Sequence, residues 1–475
     1  MFFNSFIFIG FFLLVLFILT GENLISKDVK LRNATLLVIS YFFYGYFNIG
    51  FTLILAFVTL VNYAAGKILL TNKSNNRKGI VAIATILSLL PLVFYKYAIF
   101  LAKTFSSLLS LELNLEWGDG IILPVGISFF TFQALSYTID AYRRKIDKPA
   151  NLLDFALFVA FFPTILSGPI EKARELLPQI QKYFYPKLED ITQGACIFIW
   201  GLFKKMAIAD RLADYVNWAY GSAEFVSGST LTIAAIFYSI QIYCDFSGYS
   251  DMALGVAKAM GFNVTKNFRQ PYFSRTFKEF WRKWHIALTS WFTEYVYFSL
   301  GGSRVKHKSR WIFNISTIFI LSGIWHGAAW NFLIWGALHA VYYLCEHFIG
   351  LQKKDLKWNF AGSITCGLCV FFLVTLAWIF FRLPTFEEAT FVVSKILTDG
   401  FGPISMGAST FAFAATLMML LVFTAYELII RKGWLQFDVQ NYEKKITANI
   451  FSIIPMLILI AMFGKTADNF VYFQF

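Results

Sequence analysis

The chain has 475 residues, 58% of them hydrophobic and only 15% charged. A soluble domain averages about 45–50% apolar and about 25% charged residues, so a water-soluble globular class is excluded. The formal charge of +13 would suit nucleic acid in a soluble protein, but here the basic residues cluster after hydrophobic runs. That is the positive-inside pattern of a membrane protein, and no nucleic-acid partner is expected.

The first apolar segment, Phe2 to Leu19, lacks a basic n-region and a small-x-small cleavage site before Gly21. It is expected to be retained as a span. Further spans are predicted near 34–48, 51–70, 79–102, 121–141, 153–167, 191–209, 230–248, 311–346 (two arms), 360–382, 407–430 and 447–464. Several fall short of the ~20 residues that a spanning helix needs. Polar breaks at Leu123–Ser128, Ser167–Glu171 and Gln241–Asp251 add to this and predict re-entrant pieces. Such backbone is tolerated at membrane depth only where protein or a water-filled cavity surrounds it, so residues 124–335 should hold the site.

Basic clusters at Lys73/Arg77/Lys78, Arg143/Arg144/Lys145/Lys148, Lys172–Lys187, Lys353/Lys354/Lys357 and Arg431/Lys432 with Lys444/Lys445 are assigned to the cytoplasm. Loops leaning acidic, around Glu112/Glu116/Asp119 and Glu387/Glu388/Asp399, are then extracytoplasmic, as are both termini. No long polar linker divides the segments, and one membrane domain over 1–475 is expected. The five cysteines lie in or beside apolar segments. Cys366 and Cys369 form a C-x-x-C inside a span, which favours helix packing over redox or metal chemistry.

The run Ser322-Gly323-Ile324-Trp325-His326-Gly327-Ala328-Ala329-Trp330-Asn331 places an imidazole inside a span. Intramembrane ionisable residues are costly and are functional candidates by default. From Trp311 to Glu346 the chain would reach about 54 Å as helix, against a hydrocarbon core of about 30 Å. Basic residues flank both ends, so the chain should enter and return on one side, with His326 near the turn or at a helix break. Trp330 would share the face of His326 only if the helix continued. A buried structural histidine bonded to a neighbour is the competing reading.

A second constellation runs from Asn267 through Arg269, Arg275, Lys278 and Phe280-Trp281-Arg282-Lys283-Trp284-His285. Interleaved cations and aromatics fit an interfacial amphipathic segment. They also fit the phosphates and base of a bulky anionic donor. His285 is as well suited to capping a helix as to chemistry. Asp245 and Asp251, in an apolar context, need partners such as Arg or backbone amides. His307 falls in a basic loop, and His339 and His347 read as structural or interfacial. No G-x-x-x-x-G-K-[ST], H-E-x-x-H, G-x-S-x-G or G-x-G-x-x-G occurs, so ATP-driven transport, zinc proteolysis and serine-esterase chemistry lose support.

With these residues in view, the chain resembles the membrane-bound O-acyltransferase family, in particular its bacterial polysaccharide-modifying branch. The matching pieces are Pro124–Phe129, Gly168-Pro169, Asp245–Asp251, Asn267-Phe268 and Phe280–His285, followed by Ser290-Trp291, Gly301-Gly302, Trp325-His326-Gly327 and the terminal Phe470–Phe475. The alginate type resembles it more closely than the teichoic-acid type. The resemblance implies an all-α polytopic fold of roughly eleven or more tilted helices, with re-entrant and interfacial helices around a central tunnel. It implies His326 as the catalytic histidine and His285 as the second functional one.

The expected reaction is acetyl transfer from a cytoplasmic thioester toward an extracytoplasmic polysaccharide hydroxyl, either directly or through a partner protein. Acetyl-CoA is the expected donor, an acyl carrier being the other candidate, and no permanently bound cofactor is expected. Arg269, Arg275, Lys278, Arg282, Lys283 and Trp284 are the expected donor-binding residues. Trp325, Asn331, Asp245 and Asp251 are further site candidates, with Asn331 hydrogen-bonding near His326. The partner would be an extracytoplasmic transferase or esterase-like protein, and the location the bacterial cytoplasmic membrane, among its lipids. D-alanyl transfer from a carrier to teichoic acid is the enzymatic alternative. A transporter or flippase of a lipid-linked glycan is the non-enzymatic one.

Overall fold

The structure is a computed structural model that describes residues 1–71, 76–110, 118, 120–353, 359–407, 409–435, 446–465 and 470. Lys73, Glu112, Glu116, Lys354, Lys357, Lys444, Lys445, Asp119 and residues 471–475, invoked above, lie outside the described residues. Every regular element among the described residues is helical. Among the described residues, seven helical stretches are long and apolar enough to cross a bilayer: Phe6–Ile25, Phe51–Thr71, Arg77–Leu109, Leu188–Gly221, Trp330–Ile349, Phe360–Arg382 and Thr410–Arg431. The protein is therefore an all-α polytopic membrane protein. The chain divides into two compact units, residues 1–195 with 253–265 and residues 196–252 with 266–475.

The first unit contains α1 (Phe6–Ile25), α2 (Val29–Gly45), α3 (Phe51–Thr71), α4 (Arg77–Leu92), α5 (Ala98–Leu109), α6 (Ile127–Tyr142), α7 (Leu152–Ala160) and α8 (Ala173–Ile180). Polar side chains tie these apolar helices together where water is absent. The Asn62 amide of α3 donates to Ser88 Oγ of α4 at 2.8 Å, and its carbonyl accepts from Thr138 Oγ1 of α6 at 2.7 Å. Asn33 of α2 donates to Asp154 of α7 at 2.8 Å, while Arg32 donates to the Ile180 carbonyl that ends α8 at 2.6 Å. The predicted break at Ser167–Glu171 is non-helical. Its Glu171 carboxylate accepts from the Thr265 amide at 2.6 Å.

Two helices belong to both units, α9 (Leu188–Phe203) and α11 (Gly228–Ala259). The second unit adds α10 (Asp210–Gly221), α12 (Phe277–Lys283), α13 (Ile286–Phe292), α14 (Lys308–His326), α15 (Trp330–Ile349), α16 (Phe360–Arg382), α17 (Phe386–Thr398), α18 (Thr410–Arg431) and α19 (Ile446–Phe463). Its core is aromatic, with Trp284, Trp335 and Trp378 among its largest fully buried side chains.

One expectation fails here. The Gln241–Asp251 block does not break its helix, because α11 runs unbroken for 32 residues through it. Lysines neutralise its two carboxylates, as described below, so the helix continues without exposing an uncompensated charge.

Candidate active site

The α14–α15 pair forms the hairpin that the flanking basic residues predict. His326 is the last residue of α14; Gly327 and Ala329 are both extended, and α15 starts at Trp330. The helix does not continue, so Trp330 leaves the His326 face and its side chain is 57% exposed. Glycine lets the two arms approach. A Cβ on Gly323 would lie 2.2 Å from the Phe332 carbonyl oxygen, and one on Gly336 would lie 2.4 Å from that of Phe319. Small residues at such crossings let helix backbones meet in a membrane.

His285 sits between α12 and α13 with φ 43°, a left-handed conformation that a non-glycine residue rarely takes without reason. The turn is braced on both sides. The Ile286 amide donates to the Asn267 carbonyl at 2.9 Å, and the Ala287 amide to the Asn267 side chain at 3.2 Å. Asn267 in turn donates to Ser250 on α11 at 3.0 Å. The start of α12 is capped by Glu346 of α15, whose carboxylate accepts from the Phe277 and Lys278 amides. A carboxylate at a helix N-terminus satisfies orphan amides and complements the helix dipole.

These supports bring the two histidines together. The imidazole centroids of His285 and His326 are 6.4 Å apart, with the ring planes at 45°. Both are buried, at 1% and 4% exposure. Trp325 closes one side, 5.7 Å from His285 and 4.9 Å from His326. Trp335 and Phe381 stand edge-on to His326 at 5.1 and 5.3 Å, and Phe246 to His285 at 4.6 Å. Burial pushes the His285 imidazole down to about 3, so it is neutral at physiological pH. A third imidazole, His339, lies 4.9 Å from Trp335, fully buried among aromatic rings.

A cavity of about 250 Å³ lies near this cluster, with neither histidine among its lining residues. Lys278 and Arg282 line it together with Trp281, Phe292, Tyr297 and Ser322. Ser322 lies one helical turn before His326. Trp281, on the wall, packs 5.8 Å from Trp335, which touches His326. The donor-binding residues expected from the sequence therefore separate. Lys278 and Arg282 line the cavity, while Lys283 is held by Glu279 at 2.7 Å. Arg269 and Arg275 are exposed away from the cavity lining, Arg275 reaching Ser363 Oγ at 3.4 Å. Trp284 is fully buried, 5.0 Å from Trp378 and 5.5 Å from Phe280, so its indole is core rather than a stacking surface for a donor.

The other site candidates have structural partners. Asn331 donates to the Leu383 carbonyl at 2.7 Å, tying α15 to the end of α16. Asp251 pairs with Lys204 at 2.7 Å, and Lys204 also donates to Ser247 at 2.8 Å. Asp245 pairs with Lys205 at 2.5 Å, and Lys205 also meets Asp210 at 2.7 Å. Phe470 lies over Lys205, with the ammonium 4.3 Å from its ring centroid. The pairing lysines were missed in the sequence, although Phe203-Lys204-Lys205-Met206 interrupts an apolar run in the same way as His326. They stand on a π-helical turn, Lys204–Ala209, between α9 and α10. Such turns recur at functional positions in helices.

The family model for MBOAT, the membrane-bound O-acyltransferase family, matches residues 36–386. A probable alginate O-acetylase of Azotobacter vinelandii is 33% identical over 456 residues, covering 93% of this chain and 88% of its own. A peptidoglycan O-acetyltransferase of Helicobacter pylori is 32% identical over 423 residues, covering 82% of this chain and 77% of its own. A teichoic acid D-alanyltransferase of Bacillus subtilis is 31% identical over 284 residues, covering 57% of this chain and 70% of its own. The chain belongs to the membrane-bound O-acyltransferase family and is an O-acyltransferase.

Proposed function

We propose that the protein moves an acetyl group from a thioester donor, acetyl-CoA, at the cytoplasmic face toward a polysaccharide hydroxyl outside the cytoplasmic membrane. The observation that carries this reading is the pair of buried imidazoles near a cavity lined by Lys278 and Arg282. Cations at the rim suit the donor's phosphates, and the apolar wall suits its pantetheine arm.

In the proposed reaction, His326 takes the acceptor hydroxyl proton as the oxygen attacks the thioester carbonyl. The C–S bond breaks, the new ester forms, and the imidazolium returns its proton to the departing thiolate. General-base assistance of this kind contributes about 10²–10⁴-fold. His285 holds the donor carbonyl from the opposite side. The immediate acceptor is either the glycan or a hydroxyl on an extracytoplasmic transferase or esterase-like partner.

The names of the relatives support acetyl transfer to a polysaccharide over D-alanyl transfer to teichoic acid. The alginate and peptidoglycan enzymes align with 93% and 82% of this chain, the D-alanyltransferase with 57%. Family membership leaves the transporter alternative without support. The test is a donor comparison with purified protein in vesicles. Label should move from acetyl-CoA and not from a D-alanyl carrier; transfer only from the charged carrier would overturn the reading.

A further inference from the structure

A buried carboxyl group stands on α18, apart from the histidine pair. Glu427 is 5% exposed. Its Oε1 accepts from Tyr243 Oη at 3.3 Å, while Oε2 has no hydrogen-bond partner among the described residues. Lys204 and Lys266 contribute to its field, but Lys204 is bound to Asp251 at 2.7 Å. Glu427 lines a cavity of about 150 Å³ whose walls are Tyr243, Gln270, Tyr272, Phe273, Phe371 and Phe423, the Gln270 amide donating to the Glu427 main-chain carbonyl at 2.6 Å. Thr424, on its rim, is exposed. An ionisable side chain placed this way within a spanning helix is costly and marks a functional site whose partner should be named.

The lining selects the partner's chemistry. Aromatic faces attract cations, and a carboxylate with an open lone pair adds a charge-assisted hydrogen bond. The same carboxylate repels phosphates, so the cavity is unsuited to an anionic donor. At about 150 Å³ it is also below the roughly 300 Å³ at which drug-sized ligand pockets begin, so only a small group enters. Arg431 lies four residues beyond Glu427 on the same helix face. Its guanidinium is 4.8 Å from the centroid of Phe273, a wall of the cavity. Arg431 is exposed and, with Lys432, forms a basic flank at the end of a span, where headgroups lie.

We propose that this cavity binds the headgroup of a zwitterionic phospholipid, with its ammonium between the aromatic rings and Glu427 and its phosphate on Arg431. The lipid source is favoured over a free amine because the ammonium position and the guanidinium sit side by side at the end of a membrane helix. The reading is independent of the acyl donor and of the acceptor.

The experiment places the full chain in nanodiscs of equal phosphatidylethanolamine and phosphatidylglycerol, extracts it gently, and counts retained lipids by native mass spectrometry. Phosphatidylethanolamine should exceed phosphatidylglycerol roughly tenfold, the scale of one desolvated cation–π contact. Glu427→Gln keeps the shape and should bring that ratio near one, while Arg431→Ala should lower retention of both lipids. Equal retention in the unaltered protein, or a preference surviving Glu427→Gln, overturns the proposal. Should Glu427→Gln not fold, Phe273→Leu reads the same cage, and unchanged selectivity there also overturns it. Displacement of the lipid by low concentrations of free ethanolamine would overturn the lipid assignment in favour of a soluble amine.

Discussion

His285 and His326 come from segments 41 positions apart, yet their rings lie 6.4 Å apart, centroid to centroid. One ends α14 and the other opens α13, so both imidazoles stand where a helix stops. A helix end frees the side chain from the neighbouring turn and permits an approach that mid-helix positions would block. Trp325, next to one histidine in sequence, closes against both in space.

His326→Ala should reduce acyl transfer by about 10²–10⁴-fold if the imidazole is the general base. His285→Ala should lower activity less, mainly through donor positioning. The check is turnover of labelled acetyl-CoA by purified variants that elute as the unaltered protein does. Full activity in His326→Ala would remove the mechanism.

Lys278→Ala and Arg282→Ala should each raise the donor KM by about tenfold, the cost of one hydrogen bond to a charged group, with kcat little changed. Arg269→Ala, outside the cavity lining, should leave KM unchanged. Steady-state kinetics over a range of salt distinguishes these outcomes, because a phosphate contact at the rim weakens as salt rises.

Lys205→Met should cost about 3–5 kcal/mol, since it leaves Asp245 and Asp210 as buried carboxylates without their shared cation. Lys204→Met removes the ion-pair partner of one carboxylate, Asp251, and should cost less. Thermal unfolding in detergent ranks the two; equal melting temperatures would show that the network carries little stability.

Gly323→Ala places a methyl 2.2 Å from the Phe332 carbonyl oxygen, so α14 and α15 must separate. Overpacking of this kind costs about 1–3 kcal/mol. Because His326 lies one turn further along α14, activity should fall by more than the loss of folded protein explains. Activity per folded molecule is the measurement.

The His285 pKa falls from 6.5 to about 3 on folding, through burial. The unfolded chain therefore binds more protons than the folded one between those values, and stability rises with pH across that window. The melting temperature should drop from pH 7 toward pH 4, and less steeply in His285→Phe. Parallel curves for the two proteins would contradict a neutral buried imidazole.

Several features were legible because they are local. Hydrophobic runs predicted α1, α3, α16, α18 and α19, since a helix in lipid needs only its own hydrogen bonds and an apolar surface. The break after His326 was legible from the length of the hairpin and its basic flanks. The Gln241–Asp251 block reads as a helix break in sequence, yet α11 continues through it. A polar cluster looks the same in sequence whether it interrupts a helix or is neutralised by a neighbouring one, and Lys204 and Lys205 lie some 40 positions away.

By itself the sequence determined that this is an all-helical membrane protein, that His326 stands at a break in a span, and which family's motifs it carries. Composition, periodicity and the cost of a buried charge suffice for those statements. Tertiary structure decided the rest: that His285 faces His326, that only Lys278 and Arg282 among the expected cations line the cavity, that Trp284 and Asn331 hold the scaffold, and that Glu427 meets an aromatic cage. Each of these depends on which helix faces packs against which, and side-chain contacts across distant segments leave no periodic trace along the chain.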